Sequence, residues 1–309
     1  MAKFVRRANC SDEVIADTRT LLQASLELGK PILAIPNESS IICYRGCMPF
    51  VTIYEDRWVR FSDSYKKRFP KGYSFEKIYK DYRSFLLNPE DAWKNLSIVL
   101  DAVWQGMPTD VEKHTQHIIA CNHQSFDDCA FSVCGVETCI PSEFMLNGHK
   151  PEIDFVAFCP NRREMLLIEY KCKYSSLYPS KGSGIREHWI DYTEITRNAD
   201  RIGLVSEMMN AYNLLRKIKG KNPCLIEPDD ISLRAAFLLT GNHYKEDNRK
   251  GNITTRSNIS AVKQVLKLKE LDKENPFKDE ERWNLLWGWQ ENYKDVDFDR
   301  CFKKAMEMI

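Results

Sequence analysis

A chain of 309 residues, 43% hydrophobic and 29% charged, can bury a full core and has the composition of an ordinary globular protein, which excludes the disordered and fibrous classes. Its 45 Lys and Arg against 44 Asp and Glu leave a net charge of +1, which excludes a uniformly basic nucleic-acid binder but not one whose positive charge is gathered in a cleft. No apolar run is long enough to span a bilayer, and residues 1–12 are polar and basic, so no membrane partner or signal peptide is expected and the expected location is cytoplasmic.

The 11 cysteines are odd in number and follow no secretion signal, so free thiols are expected. Residues 11–30 open with acidic side chains, carry apolar residues at helical spacing and stop at Gly29-Lys30-Pro31, which predicts a helix. Short strands are predicted at 32–36, 41–47 and 50–61, the last with a turn at Glu55-Asp56. Helices are predicted at 74–87 and 89–104, and Gly106-Met107-Pro108 closes this section. Between Arg57 and Arg83, basic residues such as Arg60, Lys66 and Lys67 alternate with Trp58, Phe61 and Tyr65. This composition suits a nucleic-acid surface and equally a small aromatic core with a solvated rim.

A helix is predicted over 109–123, with Glu112 in its first turn, where a glutamate also complements the helix dipole. His114, His117, Cys121 and His123, then Cys129, Cys134 and Cys139, are the densest group of soft ligands in the chain. Their spacing offers no C-x-x-C or H-x-x-x-H pair, and cysteines in so apolar a context usually pack as small core residues.

Residues 151–173, PEIDFVAFCPNRREMLLIEYKCK, read as two apolar strands joined by a polar turn. Glu169 and Lys171 lie two apart and therefore share a face. A four-residue loop at 160–163 sets Cys159 opposite Glu164 and, counting back, Asp154 opposite Glu169, so three ionisable groups converge. Two carboxylates in an apolar sheet need a proton or a cation, and a hard divalent ion such as Mg²⁺ suits both.

Asp154, fourteen further residues and then Glu169-Tyr170-Lys171 resemble the motif of the PD-(D/E)xK, or restriction-endonuclease-like, nuclease superfamily, with Ile153 standing where the family name has proline. The resemblance implies an α/β fold with an α-β-β-β-α-β core around a mixed sheet. It also implies a DNA phosphodiesterase that uses Mg²⁺, with Mn²⁺ as a substitute. Asp154 and Glu169 would hold the ion, the Tyr170 carbonyl would complete its coordination, and Lys171 would assist the attacking water. An acid from the preceding helix would join them, with Glu112 the candidate and Glu143 in reserve, because residues 142–146 are read as the first strand of the sheet. Many members act as dimers, so a homodimer is a possible assembly, and members without catalysis make a nucleic-acid-binding or regulatory module the alternative.

After the hairpin, Lys173, Lys181 and Arg186 belong to a glycine-bearing loop suited to the substrate side, although residues 180–184 lack the P-loop pattern. One long helix is predicted over 187–219, a buried strand over 231–240, and helices over 260–271, 280–289 and 300–308. The expected organisation is an N-terminal α+β extension at 1–108 for recognition, sensing or dimerisation. The nuclease-like domain with its C-terminal helices then occupies 109–309.

Overall fold

The computed structural model describes residues 9–55, 59–61, 89–105, 111–140, 145, 150–177, 184–198, 201–241, 253–271 and 285–308. The predicted helix at 74–87, most of the basic–aromatic stretch, Glu143 and Lys181 lie outside them. The chain forms two compact units, one built from Val5–Asn122 with Glu207–Leu225, the other mainly from His123–Ser206 and Ile226–Ile309.

In the first unit, helix α1 (Asp12–Glu27) starts at Ser11, whose hydroxyl accepts the Val14 N–H at 3.4 Å, and buries Val14, Ile15, Leu21 and Leu22. Strands β1 (Leu33–Asn37), β2 (Ser40–Arg45), β3 (Met48–Ile53) and β4 (Val59–Phe61) form an antiparallel sheet in that order. Arg45 pairs with Met48, and the two residues between them, Gly46 and Cys47, have φ of 62° and 55°. Positive φ at both central positions matches the right-handed twist of the flanking strands. Helices α2 (Pro89–Gln105) and α3 (Val111–Asn122) pack with α1 against β1 and β2.

A division at residue 108 assigns α3 to the second domain, whereas its contacts assign it to the first. His117 is buried and its Nε2–H donates to the Pro31 carbonyl at 3.0 Å, while the His114 ring lies 4.3 Å from that of Trp104.

The second unit is an α/β domain on a mixed six-stranded sheet. Its strands are β5 (Ser132–Cys139), β6 (Glu152–Cys159), β7 (Glu164–Lys171), β8 (Ser232–Thr240), β9 (Leu286–Gln290) and β10 (Phe302–Lys304), ordered β10-β9-β8-β7-β6-β5. The pairs β7–β8 and β8–β9 are parallel and the others antiparallel. The crossover from β7 to β8 runs through α4 (Tyr174–Leu177), α5 (Ile185–Arg197) and α6 (Arg201–Ile218). Helix α7 (Thr255–Leu271) lies between β8 and β9, and the short α8 (Phe298–Cys301) precedes β10.

Four sequence expectations are corrected here. The first strand of this sheet in chain order is β5, where Val133, Val136 and Thr138 supply the β-branched residues a strand packs with, whereas the expected strand at 142–146 lies, apart from Met145, outside the described residues. The helix expected over 187–219 is broken at Asn198, whose ψ of 136° ends α5. Residues 286–290 are a strand because Trp287 is needed in the sheet: it is wholly buried, stacks on Phe237 and donates from its indole N–H to Asn258 at 2.7 Å. The helix expected over 300–308 yields to α8, β10 and a 3₁₀ turn (Ala305–Met308), as β10 extends the sheet beside β9.

Candidate functional site

The hairpin β6–β7 is closed by residues 160–163, where Arg163 takes a left-handed φ of 48° and its N–H donates to the Pro160 carbonyl at 2.9 Å. Cys159 pairs with Glu164 and the ladder runs back to Phe155 opposite Ile168. One further step brings Asp154 opposite Glu169. At that point the side chain replaces a ladder bond, since Asp154 Oδ2 accepts the Tyr170 N–H at 2.8 Å. The bond aims a half-buried carboxylate along the end of the hairpin.

Strand alternation puts Asp154, Glu169 and Lys171 on one sheet face with Phe237 and Leu239 of β8. Tyr170 points to the other face, where its ring packs by Phe155 and its hydroxyl lies 2.8 Å from Thr240 Oγ1. The Tyr170 backbone, not its side chain, belongs to the acidic cluster.

Helix α5 covers the first face. Glu187 reaches back to the Gly184 N–H at 2.9 Å, fixing the start of the helix. His188 and Tyr192, one turn apart, then face the sheet. Glu169 is 1% exposed, with ion-pair contacts at Oε1 and a hydrogen bond at Oε2. Lys171 Nζ lies 2.6 Å and His188 Nε2 3.0 Å from Oε1, while the Tyr192 hydroxyl donates to Oε2 at 2.7 Å. Tyr192 is wholly buried and stacks on Phe237. Burial, then the charges of Glu169 and Asp154, hold its pKa well above the usual phenol value, so it remains a donor at any working pH.

His188 and Tyr192 escaped the sequence reading, which followed only the apolar positions of this helix. Their signal was a polar pair at i and i+4 in the helix after E-x-K, interrupting the apolar stripe. Glu112 is in the first turn of α3, half-buried, and belongs to the other compact unit. Lys173 is half-buried and its carbonyl accepts the Ser176 hydroxyl at 2.7 Å. Arg186 is in the first turn of α5, and its side chain lies outside the described residues.

Among the described residues, no three His, Cys, Asp or Glu side chains gather as a metal site. Two carboxylates do share the face, one of them held in place by a backbone N–H. Mg²⁺ takes hard oxygen ligands, commonly one or two carboxylates, and keeps several waters, so the donor set fits such an ion.

The soft ligands of the middle section are distributed over both units. His117 and Cys121 are 3.4 Å apart in α3, Cys134 is buried in β5 with its thiol toward the Val156 carbonyl, and the His123 ring stacks on Phe298. Burial pushes the thiols of Cys121 and Cys134 up to about 12, and all 11 cysteines are free. No helix among the described residues is long and apolar enough to cross a membrane. No protein-family model, no curated protein and no solved structure matches this chain.

Proposed function

We propose that this chain is a divalent-metal-dependent nuclease that hydrolyses phosphodiester bonds of DNA, on a restriction-endonuclease-like arrangement. The observation that carries the reading is the meeting of Glu169 and Lys171 at 2.6 Å with Asp154 beside them, on one face at the open end of the β6–β7 hairpin. Within the second unit, the element order β5-β6-β7-α5-β8 agrees with the β-β-β-α-β part of that superfamily's core order.

Asp154, oriented by the Tyr170 N–H, and Glu169 would hold Mg²⁺ or Mn²⁺, with the Tyr170 carbonyl as a third oxygen. When bound, such an ion polarises the phosphate and lowers the pKa of a water. Lys171, placed against Glu169, orients the attacking water and stabilises charge developing on the phosphate. His188 and Tyr192 hold the Glu169 carboxylate in one rotamer. Lys173, Lys181 and Arg186 would contact the phosphate backbone.

The test is cleavage of plasmid, linear duplex, single-stranded DNA and RNA in Mg²⁺, Mn²⁺ or EDTA, beside Asp154→Asn and Lys171→Ala. Asp154→Asn keeps an acceptor for the Tyr170 N–H and removes only the charge. Metal-dependent cutting lost in both folded variants is expected; cutting retained by either would sink the assignment.

One observation favours a second reading, a nucleic-acid-binding or regulatory module without catalysis. Lys171 and His188 lie within ion-pair distance of Glu169 Oε1 and the Tyr192 hydroxyl donates to Oε2, so the chain itself already surrounds this carboxylate. Calorimetric titration with Mn²⁺, with and without DNA, separates the two: heat of binding lost in Asp154→Asn supports the nuclease, and no uptake supports the module.

A further inference from the structure

The two oxygens of Glu169 meet different partners. Oε2 accepts the Tyr192 hydroxyl at 2.7 Å, a neutral donor fixed by a buried ring. Oε1 is buried and has no well-directed hydrogen bond among the described residues, yet the Lys171 ammonium lies 2.6 Å from it and His188 Nε2 3.0 Å. Attraction of charge rather than hydrogen-bond geometry therefore holds Lys171 there, and a group held in that way yields to a larger charge. The lysine side chain is itself only 9% exposed, so the pair lies where salt and water screen it little.

One ammonium does not balance the two carboxylates of this face. Asp154, its Oδ2 on the Tyr170 N–H, stands opposite Glu169, and Lys171 offsets one of the two charges. A divalent ion offsets both. Ion and ammonium cannot share Oε1, because two cations on one oxygen repel in so dry a place. Lys171 is the last residue of β7, and its four-carbon stem is flexible enough to carry the ammonium elsewhere while the backbone stays in the sheet.

We propose that Lys171 is the resident cation of this site: its ammonium takes the place of a divalent ion at Glu169 Oε1 and must be displaced before the ion enters. On the metal-dependent reading above, on which this rests, the lysine sets the threshold for loading the site. Displacement from Oε1 also frees the ammonium for the phosphate, where that reading gives it its role. One side chain thus alternates between guarding the carboxylate and serving the substrate.

The experiment is calorimetric titration of Mn²⁺ into the full chain, without nucleic acid, beside Lys171→Met, Lys171→Gln and Lys173→Met, their folding checked by circular dichroism. Met fills the volume of the stem without its charge, Gln keeps a donor, and Lys173→Met removes a charge two residues further on. Both Lys171 variants are expected to bind Mn²⁺ about tenfold or more tightly than wild type, the gain from removing one charged competitor. Lys173→Met is expected to stay within about twofold of wild type. In wild type, labelling by acetic anhydride, read by mass spectrometry, is expected to modify Lys171 faster in Mn²⁺ than in EDTA, a readout that needs no variant. Affinity unchanged or weakened in both Lys171 variants, an equal gain in Lys173→Met, or Lys171 labelling that Mn²⁺ does not raise would overturn the proposal and leave the metal reading standing. No uptake of Mn²⁺ by any of these proteins at millimolar concentration would overturn both.

Discussion

Glu169 concentrates the physical cost of the second unit's design. A carboxylate that is 1% exposed is costly unless its charge is matched and its lone pairs are filled: Lys171 matches the charge at Oε1 and the Tyr192 hydroxyl fills Oε2, while Oε1 is left without a well-directed hydrogen bond. Tyr192→Phe keeps the ring against Phe237 and removes only the hydroxyl, leaving Oε2 of Glu169 without its donor. A loss of about 1–3 kcal/mol in urea unfolding is expected, the penalty for one buried polar atom left unsatisfied. In the first unit, burial holds the His117 imidazole neutral, its pKa lowered to about 3. The unfolded chain takes up a proton below about pH 6.5 while the folded chain does not, so this residue's contribution to stability falls as pH drops from there toward 3, by up to about 1.4 kcal/mol per unit. Urea unfolding of wild type and His117→Gln between pH 7 and pH 4.5 checks this, the variant showing the shallower dependence.

Each element of the hairpin depends on local chemistry that short stretches of sequence carry. The loop at 160–163 sets the Cys159–Glu164 register, and that register carries Asp154 to Glu169. One residue more or less in the loop would turn every side chain of one strand to the other face. At the neighbouring edge, β5 has a register shift between Val133 and Gly135 against β6. A Cβ on Gly135 would come 2.7 Å from Thr138 Oγ1 and 3.2 Å from two Val156 carbons. Gly135→Val therefore overpacks the β5–β6 contact, and a destabilisation of about 1–3 kcal/mol in thermal or urea unfolding is expected.

Over the whole molecule, chain order and compact units do not coincide. The first unit takes Glu207–Leu225 from far along the chain, and this segment is bonded to α1. Arg19 donates to the carbonyls of Lys217 and Ile218 at 2.9 Å, satisfying acceptors that the end of α6 leaves open, and Lys217 lies 2.7 Å from Asp12. A fragment ending at residue 122 lacks these partners. It is expected to unfold at lower urea concentration than the same unit in the full chain, or not to fold at all, as followed by circular dichroism.

Strand periodicity and one tight turn carry their information within about twenty residues, and for that reason the Asp154–Glu169–Lys171 convergence was legible in the sequence, as were α1, α3, β7 and β8. The faces those residues share follow from alternation alone. Tertiary structure decided what local pattern does not encode. His188 and Tyr192 acquire their meaning only when α5 is laid across the sheet, and Trp287 lies in a strand because the edge of β8 offers hydrogen bonds that a helix could not use. Residues 286–290 and 302–304 owe their extended form to neighbours distant in sequence, a preference that packing and pairing impose over intrinsic propensity. Arg197, Arg201 and Arg234 come from α5, α6 and β8 and line one cavity, and only the folded crossover brings them to one place.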